Sequence, residues 1–250
     1  MSEVIFNNTS VGYNGNPVIQ DIDFAIDKGQ ITALIGPNGA GKSTILKTAA
    51  GLIKPVKGEV CIRDKAIGSY SPKELYGIIS VMMTDRVKTK YMTCFDVVRV
   101  GRYQYTGIFG GLSEDDRSVI KESMELIGVW DLKDKDYNTL SDGQKQRVLL
   151  ARSIVSQPGI LILDEPASFL DIGRKIEFFD VLHELVHKKD IAVLISMHEV
   201  ELIRKIADKV ICISADGKVR GIGAPDELIT PEYMEELFAM QKGKYGEYYG

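Results

Sequence analysis

The chain has 250 residues, of which 44% are hydrophobic and 26% charged, with a formal net charge of −4; this is the usage of one ordinary globular domain or two small lobes. No basic block occurs, which argues against a nucleic-acid partner. No apolar run approaches the roughly 20 residues that span a bilayer, and Met1 leads into a polar start rather than a charged-then-apolar leader, so any role at a membrane is expected to run through a partner.

Residues 3–35 read as strands. The stretch 18–26 alternates, with Ile22, Phe24 and Ile26 on one face, and Tyr13 lies just before it. The apolar run 30–35 reads as a buried strand. It leads into Gly36-Pro37-Asn38-Gly39-Ala40-Gly41-Lys42-Ser43-Thr44, which fits G-x-x-x-x-G-K-[ST], the phosphate-binding loop. Ile45 to Ala50 opens a helix, completing the strand–loop–helix context that the motif requires. The residue types follow from the chemistry. The three glycines let backbone N–H groups converge on an anion, and the helix start adds its positive dipole end. Lys42 would bridge β- and γ-phosphates, and the Ser43 hydroxyl would sit on Mg²⁺.

A short strand follows Pro55 at 58–62. Ser71 and Pro72 cap and open a helix, and 78–83 returns to a strand. From Thr93 to Gln157 the pattern is helical: Ser113 caps a helix whose first turn holds Glu114, Asp115 and Asp116, with Ile120, Met124 and Ile127 as its apolar face. The buried strand 160–163 ends in Asp164 and Glu165, at the edge where ligands bind in parallel sheets. Asp164 would hold Mg²⁺ through water, and Glu165 would orient or deprotonate an attacking water. A helix over 174–188, a strand at 191–195, a helix at 199–206 and a strand at 210–213 come next. Pro225 and Pro231 open two short helices, and the Gly- and Tyr-rich tail 242–250 is expected to be disordered.

Strands alternating with helices in both halves imply an α/β fold with a mainly parallel sheet. The helical block, approximately 85–157, reads as a lobe inserted into a core of approximately 1–84 and 158–250. Cys61, Cys94 and Cys212 fit no metal spacing and read as small apolar residues. His183-Glu184-Leu185-Val186-His187 fits H-E-x-x-H on a helix, with both imidazoles on one face. No later acidic constellation accompanies it, so it reads as two partly exposed histidines flanking the apolar stripe of Phe178, Phe179, Leu182 and Leu185.

Leu140-Ser141-Asp142-Gly143-Gln144 places a hydroxyl, a glycine and a helix start together, which makes a second anion site. A phosphate-loop protein needs only one for its own nucleotide. LSDGQ resembles the LSGGQ signature of ABC-type ATPases, with Asp142 in place of the first of its two glycines. The resemblance covers nearly the whole chain. It implies a P-loop NTPase (RecA-like) core with an antiparallel β subdomain and a helical lobe, acting on ATP with Mg²⁺ as a head-to-tail homodimer. It further implies that Ser141, Gly143 and Gln144 of one copy cap the γ-phosphate held by residues 36–44 of the other. Tyr13 matches the aromatic residue that stacks on adenine. Ser168-Phe169-Leu170-Asp171 resembles the loop that crosses the dimer interface, and His198 resembles the switch histidine that contacts the γ-phosphate. Lys42, Glu165 and His198 are thus the expected catalytic set. The family usually has Gln at the end of the strand entering the helical lobe; Thr84 occupies that place and is expected to reach Mg²⁺ through a water.

Gly101-Arg102-Tyr103-Gln104-Tyr105-Thr106 resembles the G-R-x-P-Y-T stretch of importers for ferric siderophores, haem and cobalamin, with Gln104 in place of Pro. Fused membrane helices, a long coiled coil and a second cassette are all missing, which sets aside the corresponding branches of the family. The implied protein is an ATP-hydrolysing importer subunit, peripheral on the cytoplasmic face, that docks on a separate permease served by a substrate-binding protein. The alternatives are another cargo, an exporter, or a soluble regulatory ATPase. No Asn-Lys-x-Asp stretch supports a small GTPase.

Overall fold

The computed structural model describes residues 2–83, 89–105 and 111–249. Along the chain, β1 (Ser2–Tyr13) and β2 (Asn16–Asp27) form a hairpin, followed by β3 (Ile31–Ile35) and α1 (Lys42–Ala49). Next come β4 (Lys57–Ile62), β5 (Lys65–Ala66), α2 (Pro72–Ile78) and β6 (Ile79–Met82). Three helices follow: α3 (Cys94–Arg99), α4 (Glu114–Leu126) and α5 (Asp142–Ile154). The second half holds β7 (Ile160–Asp164), α6 (Ile172–Lys189), β8 (Ala192–Ser196), α7 (Val200–Ile206) and β9 (Lys209–Ile213). It closes with β10 (Val219–Gly223), α8 (Pro225–Leu228), α9 (Pro231–Leu237) and α10 (Lys244–Tyr249).

Among the described residues the strands form two sheets. One is antiparallel, ordered β2-β1-β4-β5. Its hairpin turns at Asn14 and Gly15, both at positive φ, the Asn-Gly pair that a two-residue hairpin loop favours. Phe6 and Phe24 stack across this hairpin with ring centres 4.5 Å apart. The other sheet is ordered β10-β9-β3-β8-β7-β6, parallel from β9 to β6, with β10 antiparallel to β9 at the edge.

Strands β3, β7 and β8 are buried along their whole length, as parallel strands covered on both faces must be. Their side chains alternate between two cores. Ala33, Leu163 and Ile195 face the layer of α3 to α6, while Leu34, Ile162 and Leu194 face α1 and the antiparallel sheet. Because β3, β8 and β7 are neighbours running in one direction, Ile35, Ser196 and Asp164 end at the same sheet edge. Asp164 pairs with Ser196, and Leu34 with Ser196 on the other side.

Helices α3 to α5 lie between β6 and β7 in sequence and pack on one another around Val97, Ile120, Met124 and Leu150. Reciprocal capping boxes start each of them, at Thr93/Asp96, Ser113/Asp116 and Ser141/Gln144. Buried Arg102 donates to Asp116 Oδ1 at 2.9 Å and ties the segment after α3 to the start of α4.

Two features differ from the sequence expectation. Of the tail, residues 242–249 are ordered: α10 forms, Tyr245 is buried, and its backbone N–H donates to Glu235 Oε1 at 2.9 Å. An aromatic ring at this position finds an apolar seat on α9, which composition alone does not reveal. Strands β5 and β10 also form: β5, at two residues, is too short for a pattern, and β10 is interrupted by two glycines; β10 exists because the turn closed by the Gly217 N–H on the Ser214 carbonyl folds it back on β9. No helix among the described residues is long and apolar enough to cross a membrane.

Candidate active site

The loop between β3 and α1 is shaped by its glycines. Gly41, the residue before α1, has φ of 99°, and a Cβ there would lie 2.7 Å from Ile19 Cδ1. At Gly36 a Cβ would lie 2.1 Å from the Ile213 carbonyl oxygen, so the loop can leave the sheet only with hydrogen at this position. No side chain caps α1, which leaves its first N–H groups for an external anion. Lys42 is buried, and its Nζ donates to the Gly36 and Pro37 carbonyls at 2.7 and 3.0 Å. Burial pushes its pKa down, against the opposing pull of Glu165 and Asp164; an anion arriving here would meet an incompletely compensated ammonium.

The acids at the end of β7 face this loop. Ser43 Oγ donates to Asp164 Oδ1 at 3.1 Å, and Ser196 Oγ donates to the same oxygen at 2.6 Å. Glu165 takes a left-handed backbone conformation, φ 46°, with its N–H shared between Ser196 Oγ at 3.1 Å and Ser196 O at 3.2 Å. Its Oε1 lies 2.5 Å from His198 Nε2. Lys175, in the first turn of α6, pairs with Glu199 beside that histidine. Thus Lys42, Ser43, Asp164, Glu165 and His198 converge. The arrangement can cradle a polyphosphate and present a carboxylate–imidazole pair to its terminal group. Sequence reasoning does not single out Ser196; its one signal is its place two residues before His198, at the end of a strand.

The remaining expected residues sit apart from that cluster. Tyr13 is 44% exposed at the hairpin end, paired with Asn16; further along the same hairpin Val18 and Ile19 lie against Gly41. Ser141 accepts the Gln144 N–H at 3.3 Å while Gln144 Oε1 accepts the Ser141 N–H at 3.1 Å. Among the described residues neither they nor Gly143 make a hydrogen bond to residues 36–44. Gly143 lies instead against Arg174, and Asp171 Oδ1 caps α6 by accepting the Arg174 N–H at 3.0 Å. Thr84, and Thr106 of the G-R-x-P-Y-T-like stretch, lie outside the described residues. His183 and His187 stack on the exposed face of α6 with ring centres 4.2 Å apart, while Phe178, Phe179, Leu182 and Leu185 are buried on the other.

With this geometry in hand, the sequence matches the ABC transporter family over residues 19–168. The chain belongs to that family. This ABC chain is 41% identical over 243 residues to an uncharacterized ABC transporter ATP-binding protein, MJ0873 of Methanocaldococcus jannaschii, covering 97% of this chain and 83% of that one. It is 31% identical to the ferric enterobactin transport ATP-binding protein FepC of Escherichia coli (strain K12), covering 93% and 85%. The solved structure of cbiO1 from Clostridium perfringens, part of the ABC transporter complex cbiONQ, superposes with a TM-score of 0.82 at 27% identity over 98% of both chains. The fold is the α/β P-loop cassette, and the ABC chain is an ATPase.

Proposed function

We propose that this ATPase is the energising subunit of an importer for a ferric siderophore or a related haem- or cobalamin-type chelate, working through a separate membrane permease. The convergence of Lys42, Ser43, Asp164, Glu165 and His198 on one sheet edge carries the assignment of the hydrolysis site. The likeness to FepC and the Gly101–Tyr105 stretch support the cargo class. The chain divides into a RecA-like core, approximately 1–84 and 158–250, and a helical subdomain, approximately 85–157.

In this reading Tyr13 stacks on adenine and the N–H groups of residues 36–44 wrap the phosphates. Lys42 exchanges its bonds to the Gly36 and Pro37 carbonyls for β- and γ-phosphate oxygens. Ser43 Oγ and Asp164 Oδ1 fit a magnesium ion: they are hard oxygen donors 3.1 Å apart, few enough to leave positions for water and phosphate. Such an ion would neutralise charge on the β- and γ-oxygens; Asp164 would hold it through water, and Thr84 would reach it the same way. Glu165 orients and deprotonates the attacking water, while His198 holds Glu165 in place and contacts the γ-phosphate. Ser141, Gly143 and Gln144 come from a second copy, arranged head to tail, and Asp171 crosses the interface. Closure of that dimer then moves a groove of about 530 Å³ between the core and the helical segment. Its rim carries exposed Leu52, Tyr76, Val100 and Tyr103, an apolar surface suited to a helix of the permease. The subunit is then peripheral on the cytoplasmic face of the membrane.

The test is capture of the tagged chain from detergent-solubilised membranes of its source, followed by reconstitution. Recovery of a permease with a substrate-binding protein that loads a ferric chelate, and ATP-dependent uptake of it, is the expected result. Recovery of a permease that moves cargo outward, or of no membrane partner with ATPase activity intact, would overturn the importer reading.

A further inference from the structure

We infer that Ser196 is a positioning residue for the hydrolysis site: its hydroxyl holds the Asp164 carboxylate toward the metal position and fixes the backbone of Glu165, an inference that rests on the ATPase reading above. Three observations carry it. First, Ser196 is fully buried at the end of β8, directly across the parallel ladder from Asp164. Water cannot replace its hydroxyl there. Second, that one hydroxyl serves both acids, donating to Asp164 Oδ1 at 2.6 Å and accepting the Glu165 N–H at 3.1 Å. A hydrogen bond to a carboxylate is charge-assisted and directional, so it sets the rotation of the carboxyl group. Third, Glu165 stands at φ 46°, a backbone conformation that residues with a side chain avoid unless their surroundings impose it. Here the Ser196 hydroxyl and carbonyl both receive its N–H.

The two hydroxyls on Asp164 Oδ1 have different fates. Ser43 is partly exposed at the helix start and bonds at the longer distance, 3.1 Å. In the proposed mechanism it turns to the metal when nucleotide binds. The Ser196 bond faces the protein interior and stays. Two residues further along, His198 reaches Glu165 Oε1. The end of β8 and the residues just after it therefore orient both acids at the end of β7, Asp164 through Ser196 and Glu165 through Ser196 and His198 together.

The test measures binding of a fluorescent ATP analogue (trinitrophenyl-ATP) with Mg²⁺ and with EDTA, in the wild type and in Ser196→Ala, with thermal melts of both. Loss of a residue that orients a metal ligand typically weakens the metal about 10- to 100-fold. The expected result is therefore a rise of about tenfold or more in the Mg²⁺ concentration giving half-maximal tight binding. Affinity in EDTA stays at the wild-type value, and turnover at saturating ATP falls because Glu165 is loosened. Unchanged Mg²⁺ dependence in the variant, beside a Mg²⁺-dependent wild type, overturns the role of Ser196 alone. An equal loss with and without Mg²⁺, together with a lowered melting temperature, also overturns it, because that marks a packing role. A wild type that binds the analogue without regard to Mg²⁺ overturns the metal site itself, and this inference with it.

Discussion

His198 Nε2 stands 2.5 Å from Glu165 Oε1, and both side chains are about a third exposed, at 37% and 30%. The pair is thus hydrogen-bonded yet open to a substrate. A carboxylate held this way can take a proton from water while the imidazole fixes its direction. General base catalysis contributes about 10²- to 10⁴-fold. We predict that Glu165→Gln lowers ATP turnover by that order and accumulates an ATP-bound dimer, seen as a shift to twice the mass in size-exclusion chromatography with Mg²⁺-ATP. Normal hydrolysis by this variant would remove Glu165 from the mechanism.

Arg102 and Asp116 form a pair whose side chains are only 10% and 7% exposed. Arg102 also donates to the Val155 carbonyl at 3.3 Å and lies over the Tyr105 ring. Removing one partner of a buried pair leaves an uncompensated charge, which costs about 3–5 kcal/mol. We predict that Arg102→Ala destabilises the chain by this order in urea unfolding, and that Arg102→Met with Asp116→Asn loses much less. The Ser113 hydroxyl, and after it Arg102, hold the Asp116 pKa below its ordinary value. A lowered carboxylate pKa means that the unfolded chain binds the proton more tightly. This stabilisation is therefore complete above about pH 4 and fades as pH falls through the lowered value. The stability difference between wild type and Asp116→Asn should shrink on acidification below about pH 4; a constant difference would show that the charge is not its source.

Gly36 has no room for a side chain, since its Cβ would overlap the Ile213 carbonyl. Overpacking against backbone typically costs about 1–3 kcal/mol. We predict that Gly36→Ala lowers the melting temperature and weakens trinitrophenyl-ATP binding, because β9 and the phosphate loop cannot both keep their places. Gly39→Ala is the comparison. Nothing lies within 4 Å of its Cβ, although its φ of 80° carries strain. It should therefore cost less in the same melt; equal losses would assign the effect to backbone conformation rather than to contact with β9.

Leu52 is 56% exposed on the rim of the groove that we assign to the permease. We predict that Leu52→Glu leaves ATP turnover of the isolated subunit at the wild-type level but abolishes its co-purification with the permease and permease-stimulated hydrolysis. Retention of the complex would place the docking surface elsewhere.

Much of the site is legible as local pattern. The phosphate loop announces itself because a tight turn, converging N–H groups and a helix start impose a fixed run of residue types on consecutive positions. The acids at 164 and 165 are legible because a four-residue apolar run can end in charge only at a sheet edge. The helix starts at Ser113 and Ser141 are legible because a helix start must satisfy its own N–H groups, although the reciprocal boxes appear only in the structure. Other parts are invisible for an equally physical reason. Strand β10 is five residues with two glycines, and its support comes from elements outside its own pattern, β9, β2 and α8. The tail reads as rich in Gly and Tyr with no apolar period, yet Tyr245 finds a buried seat on α9 that no local pattern encodes.

The sequence by itself determined the local chemistry: which residues are suited to grip phosphate, which acids end a strand, and where helices begin. The tertiary structure alone decided who faces whom. Ser43 and Asp164 are 121 residues apart, and Ser196 and Asp164 are 32 apart. They meet because β3, β8 and β7 pair in that order and in that register. Strand order is a property of how whole faces pack, and a continuous apolar run says that a strand is buried without saying beside which other strand.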